Sequence, residues 1–100
     1  QNSEFFLYYE CKQEVIMNRI KKICEKVFSK FKYDYKCDTD YCDNCTIGAY
    51  VEYIKDGKKY IIHFDIDRQT RAVTMFNNKT LNEANLTAEV IANRHMVTEK

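Results

Sequence analysis

Two alternating apolar runs joined by Asp56-Gly57 constrain this chain more than any other feature. The runs cover residues 47–54 and 59–67. Asp-Gly between such runs is the strongest short-range hairpin signal, because a type I′ turn needs φ > 0 at both central positions. Placing Asp56 and Gly57 there sets the register. Tyr53 faces Tyr60, Val51 faces Ile62, Ala49 faces Phe64, and Ile47 faces Ile66. All eight lie on one face, and a slip of one residue would turn every one of them to solvent. A second turn over residues 67–70 leads into 72–76, where Val73 and Met75 join the same apolar face. The other face is mixed. It carries Tyr50, Glu52, Ile54, Lys59, Ile61, His63, Asp65, Thr74 and Phe76.

An apolar face of that size needs a cover, and the sequence supplies one upstream. Ile16, Ile20, Ile23, Cys24, Val27, Phe28 and Phe31 form one stripe at helical spacing, opposite Lys21, Lys22, Glu25 and Lys32. The start of this helix is open: Phe5 and Tyr9 extend the stripe, while a short strand over residues 4–10 is the alternative. Tyr33, Tyr35 and Cys37 alternate with polar residues and read as a short strand, followed by a polar loop from Cys37 to Cys45. A last helix is expected from Thr80, where Thr80-x-x-Glu83 is a capping box. Leu81, Ala84, Ala88 and Ile91 give its main stripe, with Leu86, Val90 and Val97 a weaker second one.

The expected fold is therefore α+β over residues 1–100 as a single domain. A long N-terminal helix packs on a three- to four-stranded antiparallel sheet, with a C-terminal helix, in two layers. A long helix wrapped by an antiparallel sheet resembles the cystatin arrangement. The protease-binding Gln-x-Val-x-Gly of cystatins is absent, so this resemblance implies fold alone.

With 16 Lys plus Arg against 15 Asp plus Glu, the formal net charge is +1. No strong field gathers nucleic acid or anionic lipid. The element order is similar to that of double-stranded RNA-binding domains, but the last helix opens Thr80-Leu81-Asn82-Glu83, without the basic cluster that grips phosphates. No apolar run approaches the ~20 residues of a membrane span. Nucleic acid and membrane insertion are thus not expected partners.

Five cysteines, Cys11, Cys24, Cys37, Cys42 and Cys45, are many for 100 residues, and the odd number leaves one over. On a continuous helix Cys11 and Cys24 stand about 20 Å and about 140° apart, beyond the ~7 Å reach of a disulfide. Cys24 faces the sheet and is expected to bond Cys37, Cys42 or Cys45, the other two pairing together. Cys11 is then the free thiol, or the bond in a disulfide-linked dimer. The alternative is a structural zinc at Cys37-x4-Cys42-x2-Cys45, with Cys24, His63 or Cys11 as fourth ligand. Asp38, Asp40 and Asp43 fail the calcium-loop pattern, since Cys42 and Ala49 stand where ligands are required. Asn44, Asn78 and Asn85 each open a glycosylation-type triplet. Gln1 begins the chain as the mature end of a secreted protein would.

His63, Asp65 and Asp67 point to one face of a strand and are the only candidates for acid–base chemistry. No nucleophile with a partner base and no phosphate-binding glycine loop accompanies them. The expectation is a secreted, disulfide-stabilised glycoprotein without enzymatic activity or cofactor. It would be a binding or inhibitory module that contacts another protein through Tyr50, Ile54, Ile61 and Phe76. The competing expectation is an intracellular regulatory protein, phage or viral, built on the zinc.

Overall fold

A computed structural model describes residues 2–98 of the chain, with side chains from residue 15 onward. The elements are α1 (Asn2–Phe31), β1 (Tyr35–Cys42), β2 (Thr46–Lys55), β3 (Lys58–Asp67), β4 (Val73–Thr74), a 3-10 turn (Phe76–Asn78) and α2 (Glu83–Ala92). The four strands form one antiparallel sheet in the order β1-β2-β3-β4. The α+β class expected from the sequence is the class observed.

The β2–β3 hairpin has the register that the Asp-Gly turn dictates. Asp56 and Gly57 sit at φ 52° and 76°. Tyr53 pairs with Tyr60, Val51 with Ile62, Ala49 with Phe64 and Ile47 with Ile66. All eight are buried, as are Val73 and Met75. Over this face lies α1, presenting Ile16, Met17, Ile20, Cys24, Val27 and Phe28, all buried, while Lys21, Lys22 and Glu25 face solvent. The backbone of α1 is helical from Asn2, so the strand alternative at residues 4–10 gives way; Phe5 and Tyr9 lie outside the residues whose side chains are described.

α1 stops in a Schellman turn made without glycine. Lys32 takes φ 59°, the Tyr33 N–H donates to Phe28 O, and the Lys32 N–H donates to Ser29 O. The reversal delivers Tyr33 into an aromatic stack. Tyr33 stacks on Phe31 and on Tyr53, Tyr53 stacks on Tyr60, and Phe28 touches both Tyr35 and Tyr53. Aromatic pairs of this kind add about 0.5–1.5 kcal/mol each beyond their buried area.

Three local expectations need correction. First, Cys37–Cys45 is not all loop: β1 continues through Cys42, and the alternation of Tyr35, Cys37 and Thr39 carries on past the first cysteine. A bulge at Asp40 shifts the register between Thr39 and Tyr41, so the sequence pattern breaks where the strand does not. Second, Phe76 does not extend β4. It opens the 3-10 turn, in which Asn77 and Asn78 both take φ 58°. Third, α2 starts after Asn82 instead of at Thr80. Leu81 N–H donates to Val73 O and Met75 N–H to Lys79 O, which keeps Thr80 and Leu81 extended. The Asn82 side chain then caps the helix by accepting from the Asn85 N–H.

The face that α2 turns inward also differs from the expected one. Leu86 and Val90, the weaker stripe, are buried; Ala84, Ala88 and Ile91 face solvent. Beyond α2 the chain returns along β3. Ile61 N–H donates to His95 O, Val97 N–H donates to Lys59 O, and Met96 bridges Tyr60.

Leu86→Ala should lose about 2–5 kcal/mol by cavity formation, whereas Ile91→Ala, at a site 60% exposed, should stay within about 0.5 kcal/mol; urea unfolding separates the two. The Tyr53 hydroxyl is buried with no hydrogen-bond partner among the described residues. Tyr53→Phe should therefore keep or raise stability, by up to about 1 kcal/mol, read in the same titration.

Candidate functional site

Both helices lie on the inner face of the sheet, so the outer face looks outward. Along it, Tyr50, Glu52 and Ile61 are half-buried by their neighbours, and Ile54, Lys59, His63 and Asp65 are exposed. Tyr50 pairs with His63 on one side and with Asp38 on the other. Phe76 stands at the margin of the strands, 41% exposed.

Asp40 crosses this face. It projects from the β1 bulge over Gly48, and its Oδ2 lies 3.8 Å from His63 Nδ1 on β3. A Cβ at position 48 would stand 2.9 Å from Asp40 Oδ1 and 3.0 Å from Tyr41 Cβ, so only glycine leaves room for that crossing. Thus the carboxylate that reaches His63 is Asp40, and the strand neighbours Asp65 and Asp67 do not. Asp67 is committed to the β3–β4 turn, where its Oδ1 accepts from the N–H groups of Gln69 and Thr70. Those two hydrogen bonds hold its carboxyl below the usual carboxylate range.

The cysteine segment is organised by Asp43. Its Oδ1 accepts from Cys45 N–H and Thr46 N–H, and its Oδ2 accepts from the Tyr41 hydroxyl at 2.7 Å. The phenol bond, then the two backbone bonds, hold Asp43 below its ordinary value. Arg68, from the next turn along, donates to Asp43 O, and its own N–H donates to Cys45 O. Cys42 and Cys45 therefore flank a closed turn and are exposed, and Asn44 sits at its tip. Asn78 is exposed as well; Asn85 is half-buried and its side-chain amide donates to Thr80 O.

Cys24, Cys37, Cys42 and Cys45 are all free thiols in this structure. Cys24 on α1 and Cys37 on β1 are neighbours across the helix–strand crossing, one helical turn before Phe28 and two residues beyond Tyr35, whose rings stack at 5.2 Å. Among the described residues no three His, Cys, Asp or Glu side chains converge to hold a metal ion. Cys11 lies outside the residues whose side chains are described. Among the described residues no helix is long and apolar enough to cross a membrane.

Sequence reasoning missed Glu89. It lies on α2 between Leu86 and Val90, and its side chain is fully buried. Arg94 Nε and Nη2 donate to its two oxygens at 3.0 Å each, and His95 Nε2 stands 2.7 Å from Oε1. The Arg94 guanidinium lies 5.2 Å from the centre of the Phe76 ring, and His95 meets that ring edge-on at 5.4 Å. The cluster pins residues 95–97 against β3. Its one trace in the sequence is a carboxylate inside an apolar stripe, with Arg94 and His95 just past the helix end.

Compared with known proteins, the chain matches no family model, no curated protein and no solved structure.

The Arg94 hydrogen bonds outweigh burial and lower Glu89 from 4.5 to about 2. A carboxyl depressed on folding stabilises the native state above its unfolded value and loses that contribution as pH falls through the folded one. Glu89→Gln should cost about 1–3 kcal/mol at neutral pH. Between pH 4.5 and about 2, the gap between parent and variant urea midpoints should close; a constant gap would refute the assignment.

Proposed function

We propose that this protein is a recognition module that works outside the cell and binds another protein through the outer face of its sheet. The observation that supports this most is the outward face itself. It combines a backbone of paired strands with Tyr50, Ile54 and Ile61, the margin ring Phe76, and the polar side chains of Asp40, His63 and Asp65. Amphipathic aromatic and apolar groups ringed by polar ones are the composition of interface cores and rims. A strand-borne patch loses little conformational entropy when it binds, because its backbone is already fixed.

The extracellular part rests on the Asn triplets and on the number of cysteines, although the disulfides expected among Cys24, Cys37, Cys42 and Cys45 are not formed in this structure. Asn44 and Asn78 stand on exposed turns, where a glycan meets no packed neighbour. Asn85 uses its amide to hold Thr80 and is the poorest acceptor of the three. Blocking or inhibiting the partner is the form of action that needs no catalytic group.

Tyr50→Ser combined with Ile54→Ser should abolish cross-linking from a photoreactive residue at position 61 to an extracellular protein of the source. A control photoreactive residue at exposed Lys26 should give no such product. Persistence of the position-61 adduct in the double variant would reject the face as the binding surface. Deglycosylation of the secreted chain should lower its mass by sugars mapped to Asn44 and Asn78.

A further inference from the structure

The stacking of Phe28 on Tyr35 at 5.2 Å sets Cys24, one turn earlier on α1, beside Cys37, two residues later on the edge strand β1, and their surroundings differ. Cys24 is fully buried in the core, whereas Cys37 is half-buried and lines an open cleft of ≈ 610 Å³ between α1 and β1. Lys21, Lys22 and Lys36 wall that cleft, with Glu25 the one acidic side chain among its lining residues. So the core-side sulfur is reached only through its partner, and the partner is reached through a basic cleft. Polarisation agrees with this order. The neighbouring Cys24 thiol, helped by Lys21, holds Cys37 below the ordinary thiol value, while Cys37 and burial push Cys24 up.

We propose that Cys24 and Cys37 form a redox-active dithiol, in which Cys37 meets an anionic low-molecular-weight disulfide in the α1–β1 cleft and Cys24 resolves the mixed bond. The Cys37 thiolate attacks one sulfur of the incoming disulfide, forming a mixed disulfide and expelling the other half as a thiolate. Cys24 then gives up its proton, its thiolate attacks the Cys37 sulfur, and the second half leaves. Two protein thiols are oxidised to one disulfide and the small disulfide is reduced to two thiols, so electrons and protons balance. The product ties the long helix covalently to the edge of the sheet. This inference does not rest on the outer face or on the compartment.

The test treats the reduced full-length chain with oxidised glutathione at low salt and maps peptides by mass spectrometry without reduction. The expected product links the Cys24 and Cys37 peptides. Cys24→Ser should instead accumulate one glutathionyl group on Cys37, and Cys37→Ser should leave Cys24 unmodified; Cys24→Ala replaces the serine variant if the buried hydroxyl prevents folding. First modification at Cys42 or Cys45, or a Cys42–Cys45 link in place of Cys24–Cys37, would overturn the proposal. For the cleft, Lys22→Glu with Lys36→Glu should slow the reaction with oxidised glutathione by about tenfold. The same variant should react with the uncharged 2-hydroxyethyl disulfide at the parent rate. Equal slowing of both would remove the anionic preference.

Discussion

Where the last turn of α1 crosses the hairpin, Phe28 lies 4.9 Å from Tyr53, ring centre to ring centre. The remaining packing depends on that contact being in place. Phe28 continues the stripe of Ile16, Ile20, Cys24 and Val27, so seating it on Tyr53 fixes the helix along its axis as well as around it. Tyr53 belongs to the register set by the Asp56-Gly57 turn, so the position of the helix and the pairing of β2 with β3 are specified together. A one-residue slip would replace Tyr53 by a residue of the opposite face and leave the stripe without a partner. The Schellman reversal at Lys32 then brings Tyr33 onto the same stack, and β1 enters beside β2 with Cys37 opposite Val51 and facing Cys24. The placing of Cys24 beside Cys37 is thus a consequence of helix seating, since Phe28, one turn on from Cys24, packs on both Tyr53 and Tyr35.

The parts that were legible in the sequence share one property: their signal is periodic and their turns are short. The hairpin register and the α1 stripe could be read residue by residue because each position agrees with neighbours two, three or four places away. What could not be read depends on contacts between distant segments. The start of α2 looked settled by Thr80-x-x-Glu83, yet pairing of Leu81 with Val73 holds that stretch extended and passes the cap to Asn82. The competition was between a local cap and a nonlocal strand bond, and both residues are acceptable to either. With Leu81 outside the helix, the expected main stripe keeps only Ala84, Ala88 and Ile91, and the larger pair Leu86 and Val90 is the one buried.

The outer face shows the same division. That Tyr50, Ile54, Ile61 and His63 share it follows from alternation alone. That Asp40 should reach His63 does not, because a bulge has no periodicity and the missing side chain of Gly48 has meaning only once β1 lies beside it. Asp43 fits no ligand pattern in the sequence and Asp67 reads there as a strand carboxylate beside His63, whereas each closes a turn with its carboxylate in place of a backbone carbonyl. Glu89 was hidden for a related reason: a carboxylate within an apolar stripe reads as an interruption until Arg94 and His95 come round the end of the helix to meet it.

The bonding of residues 95–97 to β3 also bears on how the protein behaves in a crowd. A sheet has two edges, and an unpaired edge is a template on which another chain can polymerise. On the β3 side, β4 covers one half and the returning C-terminal segment covers the other. Among the described residues no strand pairs the β1 side, but it is bulged at Asp40 and carries Lys36, Asp38 and Asp40, which discourage a docking strand. The two edges are therefore defended by different means, one by self-pairing and the other by charge and curvature. The Glu89 cluster, by holding the returning segment down, keeps the start of β3 paired and so withholds that stretch as a template for another chain.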